Sequence, residues 1–252
     1  METKILLLIP ARMGSSRFPG KPMAKINAKP MIQHVYENVQ NNKLINYTAV
    51  ATCDNEIFDF IKSIGGNAVM TSKRHERASD RCAEALNIIE DKLKIKYDIV
   101  VMVQGDEPMI KSEMISQSLK PMLNDSTVNI TNLIGKIKNE KEFKDHNCIK
   151  VVCDLNGNAL YFSRQPIPNI KTNNYQLGKQ ICVIPFRRNF LLKYNNMDQT
   201  PLEIEESIDM LRILENGLKV RMVDTEFQTY AVDTKADLIK VENILKKTIF
   251  EK

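Results

Sequence analysis

The run Ile5-Leu6-Leu7-Leu8-Ile9 passes without a break into Pro10-Ala11-Arg12-Met13-Gly14-Ser15-Ser16-Arg17-Phe18-Pro19-Gly20-Lys21-Pro22, and this junction constrains the fold more than any other part of the chain. A short, wholly apolar run of this kind reads as a strand covered on both faces, the pattern of a parallel sheet with helices on each side. Ligand crevices in such sheets lie beyond the carboxyl ends of the strands, so the loop begins where a ligand is expected. Gly14 and Gly20 permit tight turns, Pro19 and Pro22 stiffen the path, and Ser15 and Ser16 add donors. Arg12, Arg17 and Lys21 crowd positive charge that an anion would neutralise, and a nucleoside triphosphate fits that requirement. The residues alone leave a second reading open, a solvated basic loop after an edge strand. Neither a Walker loop nor a G-x-G-x-x-G fingerprint is present.

The rest of the chain extends this reading. Strands expected near residues 5–9, 47–51, 67–70 and 98–103 alternate with helical patterns near 30–41, 55–64 and 79–94, which gives βαβ units and a largely parallel sheet. Further strands are expected near 128–135, 149–153, 159–162, 180–185 and 219–223, with helices near 112–123, 187–194, 203–216 and 234–248. Gly65-Gly66 and Gly217 read as helix ends, and Asn156-Gly157 as a hairpin turn that interrupts the βαβ rhythm. With 252 residues and no linker or low-complexity stretch, the expectation is one compact α/β domain with an elaborated second half. A net charge of +5, spread along helices, is a poor match to a nucleic-acid surface. No membrane span or signal peptide is legible, and five cysteines without C-x-x-C spacing read as reduced thiols, so a cytoplasmic protein is expected.

Two carboxylate positions complement the loop. Asp106, in Val103-Gln104-Gly105-Asp106-Glu107-Pro108, follows the apolar run of residues 99–103 and is the expected Mg²⁺ ligand, because that ion prefers oxygen and shares its shell with phosphates. Glu107 is either a second site residue or an acceptor that stabilises its own loop. Asp233, in Ala231-Val232-Asp233-Thr234, is either a second metal carboxylate or, with Thr234, a helix cap. Ser79, which precedes a long amphipathic helical pattern, can be its N-cap. His34 and His146 suggest no catalytic role.

The pattern P-A-R-x-x-S-S-R-x-P-G-K-P resembles the amino-terminal signature of the CMP-sugar-acid synthetases, and Lys29-Pro30-Met31-Ile32-Gln33-His34-Val35-Tyr36-Glu37 resembles the 3-deoxy-manno-octulosonate (Kdo) cytidylyltransferases. Residues 70–81, 103–110, 160–164 and 231–238 continue the likeness across nearly the whole chain. The resemblance implies a Rossmann-like nucleotidyltransferase domain with a dimerisation segment within 149–200, hence a homodimer. It also implies Mg²⁺-dependent transfer of CMP from CTP to a sugar acid in lipopolysaccharide or capsule synthesis. It places Ala11, Arg12, Ser15, Arg17, Lys21, Ser79, Arg81 and Gln104 at the nucleotide, Asp106 and Asp233 on metal, and Arg17, Lys21, Asp106 and Asp233 in the catalytic group. Gln104, Arg164, Gln180, Glu203 and Glu206 are placed at the acceptor, with Arg164 suited to a carboxylate.

The chain departs from that family in places. S-G-T-D/E-R becomes Arg77-Ala78-Ser79-Asp80-Arg81, and H-x-G-I/V-Y-x-Y/F-R becomes Gln180-Ile181-Cys182-Val183-Ile184-Pro185-Phe186-Arg187. P-L-E-x-x-E-x-L-E-Q-L-R is kept in part as residues 201–212, with Met210 in place of glutamine. These exchanges lead to the expectation that plain Kdo is a poor acceptor, and that a modified octulosonate or a small phosphonate is an alternative. This segment can equally be an amphipathic helix with Ile204, Ile208, Leu211 and Leu214 buried. Rival readings are a nucleotide-binding protein without catalysis, and a UTP- or dTTP-dependent enzyme, whose loops more often read G-x-G-S/T-R.

Overall fold

A computed structural model describes residues 2–15, 17–172 and 175–250, with the side chains of 248–250 outside the description. The chain forms two compact units, Met1–Ile115 with Thr229–Lys252, and Ser116–Gln228. In the first, β1 (Ile5–Ala11) leads through a 3-10 turn at Lys21–Met23 and a small hairpin, β2 (Lys25–Ile26) and β3 (Lys29–Pro30), into α1 (Met31–Val39). Then follow β4 (Tyr47–Thr52), α2 (Asn55–Ser63), β5 (Ala68–Met70), α3 (Ala78–Leu93), β6 (Ile99–Val103) and α4 (Ser112–Asn124), whose later turns belong to the second unit.

β1 lies between β4 and β6, with β5 outside β4, and all these pairings are parallel. Leu6, Leu7, Leu8 and Ile9 are wholly buried, as a strand covered on both faces requires. α1 buries Met31, Ile32, Val35, Tyr36 and Val39, one apolar stripe at helical spacing. Gly65 adopts φ 78° just beyond α2, the left-handed helix end its sequence suggests. The parallel order places the ends of β1, β4 and β6 on one side, and the chemistry-bearing loops leave from there.

The second unit comprises β7 (Thr131–Lys136), α5 (Glu140–Lys144), β8 (Lys150–Cys153), β9 (Ala159–Ser163), β10 (Gly178–Ile181), β11 (Val183–Arg187), α6 (Arg188–Asn195), α7 (Pro201–Glu206), α8 (Met210–Glu215) and β12 (Arg221–Thr225). Its sheet runs β12-β7-β10-β8-β9, antiparallel except for the β12–β7 pair. The Asn156-Gly157 hairpin forms as expected, with Asp154 Oδ1 accepting the N–H groups of Asn156 (2.9 Å) and Asn158 (2.8 Å). α9 (Lys235–Phe250) returns to the first unit.

Two elements differ from the sequence reading. The single strand expected over 180–185 is two strands interrupted at Cys182, because the buried Asn132 amide donates to the carbonyls of Ile181 (2.6 Å) and Val183 (3.5 Å) on either side of it. The single helix expected over 203–216 is α7 and α8, parted at Ser207 with φ 52°. Among the described residues, no helix is long and apolar enough to cross a membrane. The five cysteines are thiols.

Candidate active site

Beyond β1 the chain gathers on one peptide. The carbonyl of Met13 accepts the N–H groups of Ser15 and Gly20, both at 3.0 Å, and its own N–H donates to Asp54 Oδ2 at 2.8 Å. Gly20, at φ 72°, supplies the left-handed turn into the 3-10 segment that carries Lys21. Ser15 Oγ accepts the N–H of Phe18 (3.3 Å), so this hydroxyl braces its own loop. Phe18 is buried with Ile26, Met31, Val232 and Val241. The loop is therefore pinned by backbone bonds and one aromatic anchor, with Arg12 and Arg17 exposed and Ala11 buried at its root. Ser16 lies outside the described residues.

The cations meet the two carboxylates. Lys21 Nζ donates to Asp106 Oδ2 at 2.7 Å and to Asp233 Oδ1 at 3.4 Å, and Arg17 donates to the same Asp233 oxygen at 2.9 Å. Arg17 is half exposed, while Lys21, Asp106 and Asp233 side chains are 12, 19 and 16% exposed. Burial opposes the Lys21 charge, but Asp106 and then Asp233 outweigh it and hold the ammonium above its ordinary pKa. The short, partly buried Lys21–Asp106 bond contributes about 1.5–3 kcal/mol, and the solvent-screened contact of half-exposed Arg17 about 0.2–1 kcal/mol.

Asp106 reaches this position through Gly105. A Cβ there would lie 3.1 Å from the Pro10 carbonyl oxygen and 3.2 Å from Ile32 Cδ1, so the glycine allows the β6 exit to close on the end of β1. Gln104 is half-buried just beyond β6. Glu107 turns away: it is 3% exposed and accepts Thr229 Oγ1 at 2.7 Å, which makes it the loop-stabilising acceptor of its two readings. At α9 the cap is Thr234, whose hydroxyl accepts Asp237 N–H (3.2 Å), while Asp237 Oδ2 accepts Thr234 N–H (2.9 Å). Asp233 is thus not needed for the cap, and its carboxylate faces the cations.

The 71–81 segment plays a supporting part. Arg81, 3% exposed, donates to Thr71 Oγ1 (2.5 Å), Ser72 O (3.3 Å) and His75 O (3.5 Å), so its guanidinium organises the segment from within. His75 O also accepts from Arg12 at 3.4 Å. Ser79 is wholly buried inside α3, and the N-cap position is Arg77, so the N-cap reading of Ser79 is corrected. Asp54 is an anchoring residue that the sequence reading missed. Its signal was available, a carboxylate directly beyond an apolar strand, as at Asp106.

In the second unit the expected acceptor residues are engaged with their own scaffold. Glu203 is wholly buried and grips Arg212 through both oxygens (2.6 and 2.7 Å), with the guanidinium 4.7 Å from the Tyr194 ring centre, so its assignment as a substrate ligand is corrected to that of an internal ion pair. Glu206 accepts Ser163 Oγ (2.6 Å), Arg164 N–H (2.8 Å) and Tyr161 Oη (3.4 Å). The Arg164 guanidinium caps the carboxyl end of α7, donating to the carbonyls of Glu206 (2.7 Å) and Ser207 (3.2 Å), and to that of His146 (3.0 Å). Gln180 Nε2 donates to Asn132 Oδ1 at 2.6 Å and supports the break at Cys182. Ile184 and Met210 are buried, at 2% and 0% exposure.

Residues 6–222 match the family model described as Cytidylyltransferase. The chain is 43% identical to a 3-deoxy-manno-octulosonate cytidylyltransferase of Trichlorobacter lovleyi, over 97% of this chain and 99% of that protein. It is 41% identical to one from Geobacter metallireducens, over 97% and 98% respectively. Its fold is similar to the structure of a CMP:2-keto-3-deoxy-manno-octonic acid synthetase complexed with CTP, with a TM-score of 0.88 and 34% identity over 98% of this chain and all of that one.

Proposed function

The chain belongs to the cytidylyltransferase family, and we propose that it transfers CMP from CTP to Kdo, releasing pyrophosphate. The single observation that carries the site is the meeting of Arg17 and Lys21 with Asp106 and Asp233 at the ends of β1 and β6. Two cations that pair with two carboxylates in the free protein can exchange partners at no net cost in charge: the triphosphate takes the cations, and a divalent cation takes the carboxylates.

The donor set fits such an ion. Two carboxylate oxygens already converge on one positive charge, the Lys21 ammonium, and Asp233 is not required by its helix cap. Asp106 and Asp233 would hold Mg²⁺, a hard cation that accepts few protein oxygens and completes its shell with phosphate and water. When bound, it would supply positive charge that eases loss of the acceptor's hydroxyl proton and offsets the anionic phosphorus oxygens. In the reaction an acceptor oxygen bonds to the α-phosphorus, the bond from that phosphorus to the bridging oxygen breaks, pyrophosphate departs with the electron pair, and the hydroxyl proton passes to solvent. Arg17 and Lys21 orient the triphosphate and offset the charge that builds on the leaving group. Arg12, beside His75, adds a third cation to the same loop.

The acceptor expectation changes with the structure. The poor use of plain Kdo rested on polar groups replaced by Ile184, Pro185 and Met210, but all three side chains are buried, and Gln180 is bonded to Asn132. The full-length likeness to Kdo cytidylyltransferases then favours Kdo over a phosphonate. Pyrophosphate release with CTP, Mg²⁺ and either Kdo, an amino-substituted octulosonate or a small phosphonate tests the proposal. Turnover with Kdo, lost in Asp106→Asn and Asp233→Asn, is the expected result; no release with Kdo, or unchanged rates in both variants, overturns it.

A further inference from the structure

Asp54 stands at the N-cap position of α2, with the extended backbone of a capping residue (φ −114°, ψ 123°) and its carbonyl accepting the first helical bond, from Phe58 N–H at 3.1 Å. Aspartate there ordinarily turns its carboxylate onto the first amides of its own helix. This one makes no side-chain cap bond. Oδ2 instead reaches 41 positions back along the chain to the N–H of Met13, at 2.8 Å. Asp54 N–H is itself fixed to Thr52 Oγ1 (3.1 Å), and the Thr52 carbonyl accepts both Thr71 N–H (2.8 Å) and Thr71 Oγ1 (3.1 Å). The carboxylate is thereby aimed by the end of β4.

Met13 is the peptide on which the basic loop closes, since its carbonyl receives Ser15 and Gly20. Arg12 precedes it, and Arg17 and Lys21 hang from the loop it fastens. We propose that Asp54 is a positioning residue for nucleotide binding: by fixing the Met13 amide it holds the basic loop in the conformation that presents Arg12, Arg17 and Lys21 to a triphosphate. An anion binds such donors well only when they are ordered beforehand, because each cation free to roam gives back part of its contact as lost freedom. Asp54 acts through its hydrogen-bonding oxygen and touches no phosphate. Its negative charge would in fact oppose the ligand, so only the geometry argues for a carboxylate or amide oxygen at this place.

The proposal rests on the CTP-dependent reading above, and the test keeps the two apart. Asp54→Ala and Asp54→Asn are compared with the unaltered protein by CTP titration, by steady-state kinetics, and by amide hydrogen exchange of the peptide covering residues 12–20 without ligand. Asp54→Ala is expected to exchange faster in that peptide and to raise Kd and KM for CTP roughly tenfold, with KM for the acceptor little changed. Asp54→Asn keeps an acceptor oxygen and should restore both exchange and CTP affinity to within about threefold. Unchanged exchange or CTP affinity in Asp54→Ala overturns the proposal, as does an Asn variant as impaired as Ala, which would assign the effect to charge. If Asp54→Ala fails to fold, Asp54→Ser, whose hydroxyl is too short to reach Met13 but can cap α2, takes its place with the same expected outcomes. Failure of the unaltered protein to bind or turn over CTP would overturn the functional reading instead, while the exchange result would still decide whether Asp54 orders the loop.

Discussion

The backbone N–H of Val232 donates to the carbonyl oxygen of Asp106 at 2.9 Å, so the residue before one site carboxylate is tied to the residue that bears the other. The main-chain positions of the two residues are therefore fixed relative to one another, and only the rotamers of two partly buried side chains remain to be set. Lys21 lies against both, and its ammonium keeps them from repelling one another when nothing else is bound. Binding groups held in this way are ordered before the ligand arrives.

Lys21→Ala is expected to remove the ammonium that joins two partly buried carboxylates, leaving Arg17 on Asp233 but Asp106 without this cation. The free protein should melt at a lower temperature, and Mg²⁺ should restore more of the loss than it adds to the unaltered protein. CTP affinity should fall by about ten- to a hundredfold, the equivalent of one charge-assisted contact. Thermal melts with and without Mg²⁺, together with calorimetric titration of CTP, check both parts.

Gly105→Ala should separate the β6 exit from β1. The added carbon meets the Pro10 carbonyl at 3.1 Å and Ala11 Cβ at 3.4 Å, and the backbone oxygen cannot rotate away. A loss of about 1–3 kcal/mol in unfolding free energy is expected, measured by urea denaturation, with a fall in kcat because Asp106 moves with the strand.

Ala28→Gly should stabilise the protein. Asn27 and Ala28 form the turn between β2 and β3 with φ of 48° and 68°, and an alanine in that region carries a cost of about 1–2 kcal/mol that glycine avoids. A gain of about 1 kcal/mol in the same denaturation assay, with CTP turnover unaltered, is the expected result.

Glu203→Ala should strand the Arg212 guanidinium, 4% exposed and held above its ordinary pKa chiefly by its hydrogen bonds to Glu203. Loss of one partner from a buried pair costs about 3–5 kcal/mol. The double variant Glu203→Leu/Arg212→Met removes both charges and should recover much of that stability. A raised KM for the acceptor in a normally stable Glu203→Ala protein would instead return Glu203 to the substrate.

The first unit was legible because its signals are local. Residues 5–9 and 99–103 are continuous apolar runs, the helix of residues 31–39 carries its stripe in sequence order, and Gly65 marks an end. The convergence of Arg17, Lys21, Asp106 and Asp233 followed from strand ends and from family likeness. The second unit was harder because its breaks are imposed from a distance. Nothing near Ser207 announces a helix end; the stop is supplied by Arg164, 43 positions earlier. Nothing near Cys182 announces a strand break; Asn132 supplies it. The β2–β3 hairpin went unread because its turn is Asn-Ala, not Asn-Gly. The same distance effect hid the engagement of Glu203, Glu206 and Gln180, whose partners are tertiary.

Because the first unit is assembled from Met1–Ile115 and Thr229–Lys252, its chemistry has an order in time. A ribosome makes the basic loop first, Asp106 next, and Asp233 only 216 positions after Arg17. Until that late segment emerges, the Arg17–Asp233 contact cannot form and Asp106 has no second carboxylate beside it. The growing chain thus carries the cations of a triphosphate site without the pair of acids, and the site is completed only when the closing segment docks against Asp106 and the basic loop.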